Sequence, residues 1–134
     1  MSRDPPPITG VTVIIALWII NILLALAFLL AGGMKTALPK DALAKRGMEW
    51  VGDFTPAFIK FIGIAEVLGA LGLVLPILTG IATVLTPIAA VGLTIAMLAA
   101  LVVHARRKES YIPTLVLAIL SAVSAVLGFI YIAR

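Results

Sequence analysis

Four apolar runs, each long enough to cross a bilayer, constrain this chain more than any other feature. A helix rises 1.5 Å per residue, so about 20 residues cross roughly 30 Å of hydrocarbon. The runs are about 11–34, 56–75, 81–103 and 111–132. Within lipid every backbone polar group needs a partner in the protein, and runs of this length find one by coiling into helices. The expected fold is therefore all-α: a single integral membrane domain over residues 1–134, built as a four-transmembrane-helix bundle with an interfacial helix between the first two spans. With 63% hydrophobic and 12% charged residues, the chain falls far from soluble domains, where about half are apolar and about a quarter charged.

Local signals refine the spans. The first reads as an uncleaved helix, since its apolar stretch is about twice a signal-peptide core and Arg3 is offset by Asp4. Pro5–Pro7 reads as a short extended tail. Thr55 before Pro56 is an N-cap hydroxyl followed by a first-turn proline. Pro76 is expected to end the second span. Pro87 is expected to kink the third, with Thr83 or Thr86 absorbing the freed backbone groups. Gly32–Gly33 reads as a helix terminator in preference to a phosphate-cradling nest. Residues 38–52 mix Leu43, Met48, Trp50 and Val51 with Lys40, Lys45 and Arg46, which fits either a helix lying on the bilayer or a solvated loop.

Basic residues give a direction. Lys35, Lys40, Lys45 and Arg46 follow the first span, and Arg106, Arg107 and Lys108 follow the third; the other side has only Arg3 and Arg134. The positive-inside rule places loops 35–55 and 104–110 in the cytoplasm and both termini outside. Trp50 and Tyr111 then fit a cytoplasmic aromatic belt, and Tyr131 the outer one. The net charge of +4 serves this orientation against headgroups, and no nucleic-acid partner is expected. The absence of cysteine excludes thiolate nucleophiles, disulfide exchange and Cys-based metal centres.

Glu66 is the one acid inside a span, and an ionisable residue there is a functional-site hypothesis. Counted from the basic end, Asn21, Glu66, Thr94 and Ser121 all fall about 14–18 Å deep, one per span, near the bilayer centre. At about 100° per residue, the Glu66 face also carries Ile59, Ile62, Gly63, Gly69, Ala70 and Leu73. Gly63, Gly69 and Ala70 are helix-packing positions that turn Glu66 into the bundle. Asn21, Thr94 and Ser121 read first as interhelical hydrogen-bonding groups; for Glu66 packing and function stand level. Burial disfavours a charged carboxyl, so Glu66 is expected to hold its proton at rest. Lys60, six residues away on another side, is expected to snorkel to the surface. His104 lies about 15 Å shallower than Glu66, so the two cannot share a metal; no metal site is assigned, and His104 reads first as interfacial.

Three elements resemble the DoxX-like family of small four-helix membrane proteins. They are AGGMK at residues 31–35, EVLGALGLVLP at 66–76, and Pro87 with His104 closing the third helix. Thr36 stands where the family often has leucine, and the cysteines of some redox-associated relatives are missing. The resemblance implies a membrane bundle linked to membrane redox systems, including subunits of thiosulfate:quinone oxidoreductases, and it extends to eukaryotic proteins that assist receptor assembly. Carried over by position, it points to Lys35, Glu66 and His104. The leading expectation is an accessory or subunit of a membrane oxidoreductase with no independent catalytic activity. It would bind a quinone or lipid-like ligand between helices near Glu66. The alternative is a non-enzymatic assembly protein acting through helix contacts, alone or as a homo-oligomer; a small transporter ranks last.

Overall fold

A computed structural model describes residues 8–133. The expectations for Arg3, Asp4, Pro5–Pro7 and Arg134 lie outside the described residues. Five α-helices run in chain order: α1 (Ile8–Ala37), α2 (Lys40–Lys45), α3 (Pro56–Thr79), α4 (Leu85–Arg106) and α5 (Ile112–Ile132), with a short 3-10 turn at Glu49–Asp53 between α2 and α3. The four long helices are each apolar enough to span a membrane. They form an up-and-down bundle in which α1 packs on α3 and α5, and α4 packs on the same two, closing a ring.

Each helix buries one stripe and leaves the rest to lipid. On α1 the buried positions Leu17, Asn21, Leu24, Phe28, Gly32 and Lys35 recur every three or four residues, the period that keeps side chains on one helix face. On α3 the stripe is Ile59, Gly63, Glu66, Ala70, Leu73 and Ile77. Leu24, Phe28, Leu73, Leu93 and Met97 fill the centre. Outward-facing Leu26, Leu30, Phe61, Leu68, Ile81 and Ile95 are more than half exposed. A soluble protein would hide so continuous an apolar surface; a bilayer covers it. The chain is an integral, multi-pass membrane protein.

Several boundaries differ from the expectations. Helix α1 runs straight through Gly32–Gly33 to Ala37, because Gly32 is a packing residue and the chain does not stop there. Pro76 does not end α3, which continues to Thr79 and closes on Gly80 in the left-handed region at φ 74°. Pro87 does not kink α4, because α4 starts only at Leu85. A proline in the first turn gives up an N–H that has no intrahelical partner there. Thr55 is the α3 N-cap as expected, its Oγ1 accepting from the Phe58 N–H at 3.2 Å.

Residues 38–54 hold the expected short helix between the first two spans, α2, and with the 3-10 turn they form a folded cap in place of a solvated loop. The α2 turn and the 3-10 turn fold back over the start of α3, burying Leu43, Val51 and Ile59 in a small second core. Met34, Leu38, Met48, Trp50 and Phe54 pack around it. This cap closes the basic end of the bundle and places Trp50 over α1.

Candidate functional site

The site is assembled where α1 and α3 cross. At Gly32 an added Cβ would lie 2.6 Å from the Gly63 carbonyl oxygen and 2.9 Å from the Glu66 Cβ. At Gly63 an added Cβ would meet the Gly32 carbonyl oxygen and the Lys35 Cβ, both at 2.8 Å. The paired glycines therefore let two backbones touch, a small-residue crossing of the kind that membrane helices use. With the backbones this close, the next residue on the α1 stripe reaches across. Lys35 Nζ contacts Glu66 Oε1 as a salt bridge between side chains 10% and 2% exposed. The indole face of Trp50 lies over the same ammonium, 5.5 Å from Nζ to the ring centroid, within cation–π range.

Glu66 is thus not a lone acid: its partner comes from another helix. Lys60 does not compete for it, since its Nζ donates to the Thr36 carbonyl oxygen at 2.8 Å and satisfies an unpaired acceptor at the α1 terminus. That contact also corrects the depth count. Lys60 is level with the end of α1, so the first turn of α3 lies within the cap, and counting from Pro56 overstates the depth of Glu66 by about 6 Å.

The expected single polar layer resolves into separate levels. Asn21 is fully buried and donates Nδ2 to the Leu73 carbonyl oxygen at 2.8 Å. Leu73 is seven residues, or about 10 Å, along α3 from Glu66. The hydroxyl that joins Asn21 is that of Ser124, donating to Oδ1, and not that of Ser121. Ser121 is also fully buried, and its Oγ has no partner among the described residues. Thr94 bonds back into its own helix, Oγ1 to the Ala90 carbonyl oxygen at 2.7 Å. Ser124 lies one turn beyond Ser121 on the same α5 face, so helical phase could have found it while depth alone could not.

The packing positions do distinct work. Gly63 meets α1. Gly69 faces α4, where an added Cβ would lie 2.7 Å from Leu93 Cδ2. Ala70 is 1% exposed in the central core. A further contact went unread in the sequence: Pro76 cannot donate to the carbonyl of Gly72, and Thr86 of α4 supplies the missing hydrogen at 2.9 Å.

His104 is remote from the Lys35–Glu66 pair in chain and in partners. Its Nδ1 lies 2.7 Å from Glu109 Oε1, and Arg107 Nη1 donates to Asp53 Oδ2 at 2.6 Å, tying the α4–α5 loop to the cap. The Glu109 carboxyl is held below the usual carboxylate range, first by the His104 hydrogen bond and then by Arg107.

Two recesses flank the ion pair. On the lipid side, a cleft of about 290 Å³ between α3 and α4 is lined by Phe61, Ile62, Ala65, Glu66, Gly69, Ala89, Gly92, Leu93 and Ala96. Glu66 is its only ionisable wall. At the basic end, a groove of about 600 Å³ runs between the α1 terminus, α2 and the start of α3, with Lys35, Lys40, Asp41 and Lys60 among its walls.

The sequence profile of the DoxX-like family matches residues 19–127, a span that holds Asn21, Lys35, Glu66, His104 and Ser124. The chain belongs to the DoxX-like family. No curated protein and no solved structure matches it. For this DoxX-like protein, Lys35 and Glu66 meet in one site and His104 forms another.

Proposed function

We propose that this DoxX-like protein is an accessory membrane subunit that holds a quinone, or an apolar ligand with a similar carbonyl head, in the cleft between α3 and α4. The observation that carries this reading is the cleft itself: small residues on both helices open about 290 Å³ with one ionisable side chain, Glu66, in its wall. A flat apolar ring gains from burial against Phe61 and Leu93, and a single polar group fixes its orientation, the usual make-up of a small-molecule site. A carboxyl can donate when protonated and accept when ionised. Lys35, behind it, anchors the group and offsets its charge. The protein supplies binding and proton contact; any electron transfer belongs to a partner oxidoreductase.

In the same reading, the end that carries both basic loops faces the cytoplasm, as their lysines and arginines require.

The test is organic extraction of the purified protein from native membranes, with bound quinone quantified by chromatography. Gly92→Leu is the informative variant, because Gly92 lines the cleft and an added Cβ there meets nothing, which leaves room for a larger side chain to compete with a ligand. Quinone retained by the wild type and lost in both Gly92→Leu and Glu66→Gln supports the reading. Quinone absent from the wild type, with a stoichiometric protein partner in its place, overturns it in favour of an assembly role.

A further inference from the structure

We infer that the groove at the basic end is a binding site for the phosphate of an anionic phospholipid. Three lysine side chains, Lys35, Lys40 and Lys60, line it against one carboxylate, Asp41. Lys35 is neutralised from behind by Glu66. The other two have no carboxylate partner among the described residues and are held by carbonyls: Lys40 Nζ donates to the Phe54 carbonyl oxygen and Lys60 Nζ to that of Thr36, each at 2.8 Å. A carbonyl takes one of the three ammonium hydrogens and fixes the side chain, leaving two donors and a full charge. Two positioned, unneutralised ammonium groups facing one recess suit a phosphate more than they suit each other.

The rest of the groove suits the remainder of a lipid. Ala37, Leu38, Pro39 and Pro56 supply apolar wall beside the lysines, so phosphate and upper acyl chain meet matching chemistry. At about 600 Å³ the space lies within the usual range for a bound organic molecule. Its position is at the ends of α1 and α3, level with the headgroups of the leaflet that the basic loops face. Basic recesses between spans at this level are where anionic headgroups dock. The site is independent of the α3–α4 cleft, on the other side of the ion pair.

The full-length protein, reconstituted in phosphatidylcholine vesicles with a minor fraction of phosphatidylglycerol, tests this by native mass spectrometry of lipid retained after detergent extraction. Phosphatidylglycerol is expected to be enriched over phosphatidylcholine, and the enrichment to fall about fivefold for each of Lys40→Gln and Lys60→Gln. Arg106→Gln plus Lys108→Gln, which removes the same charge as Lys40→Gln plus Lys60→Gln but lies outside the groove, is expected to leave it unchanged. Equal losses from both pairs of substitutions overturn the site, because general surface charge then explains retention. Displacement of the lipid by millimolar inorganic phosphate overturns it too, since the groove then takes free anions. Thermal unfolding of each variant in detergent separates loss of lipid from loss of fold.

Discussion

Removing Lys35 from the buried pair is the most discriminating perturbation. The Glu66 residue is 2% exposed, and Lys35→Met removes its only charged partner among the described residues. Breaking one side of a buried ion pair costs about 3–5 kcal/mol. The expected loss is therefore about 3 kcal/mol. Glu66→Gln should cost less. The stranded ammonium keeps the Trp50 face at 5.5 Å, worth about 0.5–2 kcal/mol, and it lines the basic groove, so it can swing towards water. Lys35→Met with Glu66→Gln removes both charges and should recover at least about 2 kcal/mol over the sum of the single losses. Equilibrium unfolding in detergent micelles reads this, in a Trp18→Phe background so that the fluorescence of Trp50 reports on the site alone. Additivity within about 0.5 kcal/mol, or two near-silent single variants, would refute the buried-pair argument.

Gly32→Ala should destabilise by about 1–3 kcal/mol, because its Cβ meets the Gly63 backbone and neither helix can yield without separating. Gly33→Ala, whose Cβ meets nothing, should be neutral or slightly stabilising; thermal unfolding compares the two. Thr86→Val should cost about 1–3 kcal/mol by leaving the Gly72 carbonyl unpaired, and adding Pro76→Ala should restore part of it by returning an N–H to α3. The Glu109 carboxyl is depressed in the folded protein, so its contribution is full above the ordinary carboxylate range and is lost as pH falls through the lowered value. Protection of the amides of residues 104–110, taken relative to their intrinsic exchange rates, should therefore fall at acid pH in the wild type, and Glu109→Gln should abolish that dependence. Because the chain has no cysteine, Ser110→Cys and Thr79→Cys give a clean test of orientation by impermeant thiol labelling of intact cells. Only the Thr79→Cys protein should label from outside.

Much of the site could be read one helix at a time. The Glu66 face found by counting 100° per residue is the stripe that α3 buries, with Ile59, Gly63, Ala70 and Leu73 on it. The same counting on α1, started from Asn21, reaches Lys35 after fourteen residues with a drift of about 40°. Treating Gly32–Gly33 as a stop broke that count and hid the partner of Glu66. Likewise, taking Pro76 as the end of α3 concealed the hydrogen bond from Thr86.

The four spans, the basic and apolar ends, the inward face of α3 and the family were legible in the amino-acid order. Each depends on hydropathy, charge or helical period within one segment, and lipid enforces those rules locally. The pairings came only with the packed bundle: Lys35 with Glu66, Asn21 with Ser124, Thr86 with Gly72, and Trp50 over Lys35. These depend on the axial register of one helix against another. In a bundle that register is set where small residues let backbones touch, here at Gly32 and Gly63. Hydropathy is nearly indifferent to a slide of one turn, which is why the depth count merged levels about 10 Å apart.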